Sequence, residues 1–196
     1  MSRRQSMDVE EQADDPALNI VSAKACKWDP SLREIGKDAT WTLSSAKPRF
    51  DVEQLTDANP ETYWQSDGAA PHVVHMQFPK KVTVEMIAVY LDYKTDESYT
   101  PSQVLVKAGT TCKDAMDIHT WSLKEPEGWV LLLLHKCDKA PVRANYFSLS
   151  VLQNHQSGRD THIRLVKVFT QREAVATSGI LPSFTSDALL MYNTIR

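Results

Sequence analysis

The chain has 196 residues and a formal net charge of −3, a length that suits one domain with a substantial core. The weak negative charge argues against a nucleic-acid or membrane-surface partner attracted by bulk charge, and no run of about 18 apolar residues provides a membrane span. Ten prolines, six glycines and short apolar runs favour an all-β domain over a helical one.

The cysteines are odd in number and widely spaced along the chain, at Cys26, Cys112 and Cys137. This pattern fits reduced thiols inside the cell better than a disulfide framework. Residues 1–15 are charged and lack the apolar stretch of a secretory signal. We therefore expect the protein in the nucleus and the cytoplasm.

The first part of the chain, residues 1–31, is predicted to be a flexible acidic leader because it is poor in periodic apolar positions. Its clustered acidic residues are Asp8, Glu10, Glu11, Asp14 and Asp15. A short apolar island, Leu18–Val21, could dock on the domain or bind a neighbouring molecule. The sequence does not decide between these two alternatives.

The folded domain is predicted to span residues 32–172. Residues 39–44 alternate in the manner of a strand, with Trp41 and Leu43 on one face. Asp51 and Gln54 have the spacing of a capping box, which predicts that a short helical turn begins there.

Trp64 follows in an aromatic pair with Tyr63. We interpret Trp64 as a core residue whose indole N–H finds a hydrogen-bond acceptor. Further stretches are predicted as strands: Val73–Phe78, Val82–Tyr93, Gln103–Lys107, Trp129–Leu134, Tyr146–Leu152 and Ile163–Phe169. Both alternating sets of residues in the second stretch are apolar, which predicts a central strand buried on both faces. Many short strands without long helical patterns predict a β-sandwich of jelly-roll type.

Two polar loops interrupt these strands, Asp92–Pro101 and Asn154–His162. The second loop has polar side chains throughout, apart from one glycine, so we predict that it faces a ligand; a solvated hairpin tip is the alternative. Gly158 is predicted to supply a positive φ. The guanidinium group of Arg159, which can donate several hydrogen bonds, is next in sequence to the carboxylate acceptor of Asp160.

The chain after Phe169 contains small and polar residues without strand-length alternation, so residues 173–196 are predicted to form an exposed tail. The tail ends in Ile195 and Arg196. An apolar side chain, a guanidinium group and a terminal carboxylate together make a compact three-part ligand for a groove. A disordered terminus without a partner is the alternative.

Catalytic spacings are missing from the sequence. There is no phosphate-binding glycine loop, no Gly-x-Ser-x-Gly elbow, no His-Glu-x-x-His pair and no Cys-x-x-Cys pair. His155, Asp160 and His162 could in principle bind a metal or transfer protons, but loop histidines beside carboxylates are more often hydrogen-bonding groups. We therefore predict a protein that is not an enzyme and that needs no cofactor or metal.

Several segments together resemble a known family, the Doc domain of the anaphase-promoting complex, which is a multisubunit ubiquitin ligase. These segments are Arg33–Gly36, Trp41–Ser45, Glu61–Gly68, Tyr93–Ser102 and Asn154–His162. The resemblance covers about residues 32–170 and returns at the Ile-Arg end. It implies a jelly-roll β-sandwich of galactose-binding-like type with short helical segments and flexible N- and C-terminal tails.

The resemblance also implies a non-catalytic co-receptor that acts with a WD-repeat coactivator to hold the destruction box of cell-cycle substrates. The residues that match the family's ligand loops are Asn154, His155, Gln156, Gly158, Arg159, Asp160, Thr161, Asp96, Glu97, Ser98 and Tyr99. Ser157 stands where an asparagine is common in the family. Ile195 and Arg196 match the family terminus that docks on a tetratricopeptide-repeat subunit.

Two other functions remain open at this point. An intracellular carbohydrate-binding module of the same sandwich class could stack a sugar on Trp64, Tyr93 or Tyr99. A purely structural subunit could use the polar loop to bridge its neighbours.

Overall fold

A computed structural model describes residues 18–21, 28–134 and 141–172. Their strands, numbered along the chain, are β1 (Leu18–Val21), β2 (Leu32–Glu34), β3 (Thr40–Leu43), β4 (Trp64–Gln65), β5 (His72–Val84), β6 (Met86–Asp92), β7 (Pro101–Gly109), β8 (Met116–Ser122), β9 (Glu127–Leu133), β10 (Val142–Asn154), β11 (His162–Ile163) and β12 (Leu165–Gln171). The helical segments are α1 (Val52–Thr56), α2 (Tyr93–Asp96) and the 3-10 turns Gly36–Asp38, Glu97–Tyr99 and His155–Ser157.

Two five-stranded antiparallel sheets form the sandwich. The first has the order β1-β9-β6-β12-β2 and the second the order β3-β5-β10-β7-β8, while β4 and β11 form a short ladder of their own. The core lies between the sheets, where Ile87 and Val89 of β6 join the same apolar cluster as Phe147 and Leu149 of β10. The predicted all-β sandwich is confirmed.

The middle strand of the first sheet, β6, is buried on both faces, as predicted. Its outward-facing residues Met86, Ala88 and Tyr90 belong to a second apolar cluster that also contains Trp129 and Phe169. Trp28 covers this cluster, with ring centroids 5.0 Å from Trp129 and 4.6 Å from Phe169. An aromatic lid of this kind removes the outer face of the sheet from water.

Part of the predicted leader contributes to the folded domain. Leu18–Val21 pairs antiparallel with β9, with Leu18 opposite Leu132 and Val21 opposite Trp129. Of the two alternatives for this apolar segment, the structure therefore shows the one in which it docks on the domain. Together with Trp28, this strand extends the domain before the predicted boundary at residue 32.

The predicted capping box begins α1. The Asp51 side chain accepts a hydrogen bond from the Glu53 N–H at 3.0 Å, and the Asp51 N–H donates to Oε1 of Gln54 at 2.8 Å. These bonds satisfy donors that the first helical turn leaves free. The helix then places Leu55 in the core with no exposed surface.

The prediction for Trp64 is also confirmed. The side chain has no exposed surface, and its Nε1–H donates to the carbonyl oxygen of Ser45 at 3.0 Å. β4 is therefore anchored directly beneath the end of the sandwich that carries the polar loops.

One predicted boundary is wrong. The break between the predicted strands Val73–Phe78 and Val82–Tyr93 falls at Glu85, so that β5 continues to Val84 and β6 begins at Met86. The pairing of β5 with β10 shifts register between Ala144 and Tyr146. An irregularity of this kind tolerates Pro79, which has no N–H for the ladder.

β8 was not predicted because its alternation is weak. It is an edge strand with mostly exposed side chains, among them Met116, which is 74% exposed. Cys112, just before it, is an exposed free thiol, while Cys26 and Cys137 lie outside the described residues. Among the described helices, none is long and apolar enough to cross a membrane.

Candidate recognition site

The two polar loops predicted from the sequence lie side by side at one end of the sandwich. The His155 N–H donates to the carbonyl oxygen of Thr100 at 2.9 Å, and Oγ1 of Thr161 donates to the carbonyl oxygen of Tyr99 at 3.3 Å. β10 delivers one loop and β6 the other, because both strands end at the same edge of the fold. The loops therefore form one surface.

A buried ion pair supports this surface from below. The guanidinium of Arg164 binds both carboxylate oxygens of Asp96, with 2.9 Å from Nε to Oδ2 and 2.9 Å from Nη2 to Oδ1. Nδ1 of His162 lies 3.2 Å from Oδ1 of the same carboxylate. The third guanidinium nitrogen, Nη1, donates to the carbonyl oxygen of Pro60 at 2.8 Å. Bidentate pairing of this type fixes both partners in orientation.

The ionisation of Asp96 depends on these contacts. Burial opposes the charged form, but hydrogen bonds from His162 and Arg164 and the charge of Arg164 more than offset it, so that the pKa of Asp96 lies below its ordinary value. Burial also opposes the charge on Arg164, and its bonds to Asp96 reverse that effect and raise the pKa of Arg164. Both groups therefore carry their charges at neutral pH.

A column of four stacked rings runs beside the ion pair. The ring centroids of Phe50 and Tyr63 lie 5.0 Å apart, those of Tyr63 and His162 lie 4.2 Å apart, and those of His162 and Tyr99 lie 4.2 Å apart with an interplanar angle of 10°. Tyr99 is the outermost ring and is 39% exposed. The column thus presents one aromatic face to solvent on a rigid base.

The loops approach most closely at Gly158. A Cβ atom on this residue would lie 1.7 Å from the carbonyl oxygen of Ser98, so that no larger residue fits while the loops stay in place. The predicted positive φ at Gly158 is wrong, since its φ is −57°. The left-handed positions are instead Gln156 and Ser157, with φ of 51° and 58°.

Two side chains hold the backbone of the second loop. Nδ2 of Asn154 donates to the carbonyl oxygens of Gly158 and Asp160, at 3.2 and 2.9 Å. Nε2 of His72, a buried residue of β5, donates to the carbonyl oxygen of Arg159 at 2.8 Å. The loop is therefore ordered by its own hydrogen bonds and by the second sheet.

The structure separates the predicted ligand residues into two groups. Four are exposed, and we call them the loop face: Glu97, Tyr99, Gln156 and Arg159. Ser98, Asn154, His155, Gly158 and Asp160 are half-buried around them. Asp96 and Thr161, which were also predicted to contact a ligand, are buried beneath the face. Ile195 and Arg196 lie outside the described residues.

Within the described residues, no group of three His, Cys, Asp or Glu side chains is placed to hold a metal ion. The carboxylate of Asp57 organises a turn. It accepts from the Asn59 N–H at 2.8 Å and from Oγ1 of Thr62 at 2.6 Å.

Comparison with known proteins identifies the family. The family model described as "Anaphase-promoting complex, subunit 10 (APC10)" matches residues 5–194. The chain belongs to this subunit 10 family. The Doc-domain resemblance found in the sequence is therefore confirmed.

Individual members of the subunit 10 family match over most of the chain. The Homo sapiens protein named anaphase-promoting complex subunit 10 is 46% identical over 166 residues, which cover 85% of this chain and 89% of the relative. The Dictyostelium discoideum protein of the same name is 38% identical over 196 residues, the full length of both chains.

Solved structures confirm the fold class. The family 32 CBM from C. perfringens NanJ in complex with galactose superposes with a TM-score of 0.60 and covers 71% of this chain and 99% of its own. Its sequence identity is 14%, so that this likeness concerns the jelly-roll fold alone. The predicted galactose-binding-like sandwich is thus established for this member of the subunit 10 family.

The residues that support the loop face in this member of the subunit 10 family were not predicted from the sequence. Arg164 lay inside a predicted strand, and His72 had no assigned role. Arg164 is one of two charged residues in this mostly apolar strand, the other being Lys167, and it was an available signal because buried charges are almost always paired. Nothing in the sequence indicated which carboxylate would pair with it.

Proposed function

We propose that this chain is a non-catalytic subunit of the anaphase-promoting complex ubiquitin ligase that acts as a substrate co-receptor. It holds the destruction box of a cell-cycle substrate together with a WD-repeat coactivator, in the nucleus and the cytoplasm. The observation that carries the proposal is the loop face, which places one cation, one anion, one amide and one aromatic ring, all exposed, on two adjacent loops. Membership in the subunit 10 family supports the assignment to the anaphase-promoting complex.

The chemistry of the loop face suits an extended peptide. Arg159 donates to backbone carbonyls or a carboxylate, Glu97 accepts, and the amide of Gln156 does both. Gln156 is already oriented, since its Nε2 donates to the hydroxyl of Tyr93 at 3.2 Å. Tyr99 provides a flat apolar surface beside these groups.

Two polar side-chain atoms of the second loop are buried without a hydrogen-bond partner in the described part of the chain. Oδ1 of Asn154 and Nε2 of His155 are buried and have no hydrogen-bond partner among the described residues. Leaving a buried acceptor or donor unpaired costs about 1–3 kcal/mol. Both atoms are closed to solvent in this structure, so a bound peptide would pair with them only after a shift of the loop.

Weak binding by the loop face alone is expected. Each peptide hydrogen bond contributes only about 0.5–1.5 kcal/mol net. A substrate that is held by the coactivator at the same time meets the loop face as an effectively intramolecular contact, which raises avidity without new interactions. The co-receptor therefore prolongs residence of the substrate on the ligase.

The central test is a double substitution, Arg159→Ala with Tyr99→Ala. We expect fewer ubiquitins to be added per binding event, because two exposed contacts are lost while the supporting ion pair stays intact. Single-encounter ubiquitination by the assembled ligase measures this number.

A matched control removes an exposed cation and an exposed apolar side chain elsewhere, Lys113→Ala with Met116→Ala. This control should leave the number of ubiquitins per encounter unchanged. Equal processivity of the loop-face variant and the control would refute the co-receptor role, provided that both variants enter the complex.

We further propose that Ile195 and Arg196, which lie outside the described residues, dock in a groove of a tetratricopeptide-repeat subunit. Ile195 would fill an apolar pocket, and Arg196 with the terminal carboxylate would meet an acidic wall and hydrogen-bond donors. Deletion of both residues is expected to lower incorporation into the complex severalfold without changing the melting temperature of the domain.

Co-purification of the repeat subunits with the truncated chain measures incorporation. The variant Arg159→Ala with Tyr99→Ala serves as the control, because it alters the proposed substrate-binding surface and keeps the C-terminal tail. Undiminished incorporation after the deletion would show that other surfaces suffice for assembly.

Two alternatives are less well supported. A carbohydrate-binding role rests on a likeness in fold at 14% identity, whereas relatives of much higher identity are named as subunits of one complex. A purely structural bridging role predicts that photo-crosslinks from Tyr99 reach a neighbouring subunit. The co-receptor role predicts that they reach the substrate.

A further inference from the structure

A basic cleft lies at the end of the sandwich opposite to the loop face. It is an open concavity of about 1180 Å³ between the two sheets. Its lining contains five basic side chains, Arg33, Lys80, Lys81, Arg143 and Arg172, and only two acidic ones, Asp38 and Glu85. The cleft therefore carries an excess of three positive charges on a chain whose net charge is −3.

The cations of the basic cleft are not neutralised within the described part of the chain. All five are exposed. The ion pairs among the described residues involve other cations: Lys94 with Glu127, Lys107 with Asp117, Lys167 with Glu34, and Arg164 with Asp96. A concave surface with unpaired positive charge attracts an acidic segment.

The start of β1 lies at the same end of the fold as the basic cleft. Leu18 is opposite Leu132 of β9, which is opposite Ile87 of β6, which in turn is opposite Val168 of β12. Glu85 lies two residues before Ile87, and Thr170 lies two residues after Val168, so both are displaced toward the same end of the sheet. Both residues line the cleft. The chain therefore enters the first sheet beside the cleft.

The residues that precede β1 have the complementary charge. Residues 8–15 contain Asp8, Glu10, Glu11, Asp14 and Asp15 and no basic residue. Three strand spacings separate β1 from β12, a distance of about 14–15 Å. The seven to ten residues that separate Asp8, Glu10 and Glu11 from Leu18 can extend over about 23–36 Å, so that these three carboxylates are within reach of the cleft.

We propose that the acidic stretch of residues 8–15 binds the basic cleft of its own chain through its more distant carboxylates, those of Asp8, Glu10 and Glu11. Because the stretch is tethered to β1, its effective concentration at the cleft is in the millimolar range, well above that of a free acidic peptide. Weak exposed ion pairs then suffice to keep it bound. The acidic leader thereby covers one end of the sandwich and leaves the loop face at the other end free.

Zero-length carbodiimide crosslinking of the full-length chain tests the proposal. This reagent joins a lysine amine to a carboxylate only when the two are in contact. We expect intramolecular crosslinks from Lys80 or Lys81 to carboxylates of residues 8–15, identified by mass spectrometry of the monomer. Their yield should fall severalfold between about 0.01 M and 1 M salt, over which the Debye length shrinks from about 30 Å to 3 Å.

The cleft arginines allow a variant that keeps the crosslinking amines. Arg33→Gln with Arg143→Gln should reduce the yield at Lys80 and Lys81 severalfold. A matched control, Lys113→Gln with Lys124→Gln, removes the same charge from exposed positions outside the cleft and should leave the yield unchanged. Crosslinks found only between two chains, an equal loss in both variants, or no crosslink from Lys80 and Lys81 to the leader would each overturn the proposal.

Discussion

Substitution of Arg164 by methionine is expected to lower the free energy of unfolding by about 3–5 kcal/mol. The reason is that Asp96 would remain as a buried charge without its bidentate partner, which is the costly way to disrupt a buried ion pair. Asp96 is only 6% exposed, so water cannot take the place of the guanidinium. Urea unfolding, followed by tryptophan fluorescence, measures the change.

Two comparisons make this expectation specific. The double variant Arg164→Met with Asp96→Leu should recover much of the lost stability, because apolar replacement of both partners avoids the unpaired charge. Lys94→Ala breaks the exposed pair of Lys94 with Glu127 and should change stability little. If Arg164→Met is no less stable than Lys94→Ala, the ion pair does not support the fold.

The same ion pair determines how the wild-type domain responds to acid. A carboxyl group whose pKa is depressed in the folded state contributes stability that is complete above its unfolded pKa, about 3.9 for aspartate. That contribution is lost as the pH falls through the lower folded value. Unfolding free energies measured below about pH 4 should therefore decline less steeply in the double variant than in the wild type.

Replacement of Gly158 by alanine should disrupt the loop face itself. The added Cβ would lie 1.7 Å from the carbonyl oxygen of Ser98, which belongs to the backbone and cannot rotate away. The two loops must therefore separate, with a loss of stability of about 1–3 kcal/mol as for other overpacked sites. We expect ubiquitins per encounter to fall at least as far as in the Arg159 and Tyr99 variant, because all four side chains of the loop face move.

The matched control for this substitution is Gly36→Ala, since the nearest atom to its new Cβ would be in the Trp41 ring at 3.4 Å. That distance is an ordinary van der Waals contact, so we expect little change in stability or processivity. Wild-type processivity in Gly158→Ala would show that the relative position of the two loops is irrelevant to substrate binding.

The local signals in the sequence were sufficient for much of the fold. The capping box at Asp51 and the burial of Trp64 depend on neighbouring residues and on apolar character, which the sequence displays directly. The central position of β6 followed from its two apolar faces. The length of β5 was missed because Pro79 indicates a strand end, and only the irregular pairing with β10 shows why the strand continues.

The candidate site was only partly predictable, because burial within a polar loop depends on partners distant in sequence. Asp96 and Glu97 are adjacent acidic residues, yet one is buried against Arg164 and the other is exposed. Gly158 was identified, but for the wrong reason, since its role is set by Ser98 on the other loop. These relations arise only when β6 and β10 are brought together.

The four-ring column determines which substitutions can alter the loop face. The orientation of Tyr99 is transmitted inward through His162 and Tyr63 to Phe50, a residue half-buried behind the loops and well before them in the chain. Under the proposed co-receptor role, substitutions at Phe50 or Tyr63 would therefore impair substrate binding, although neither residue belongs to the loop face. A mutational screen restricted to the loop face would overlook such substitutions.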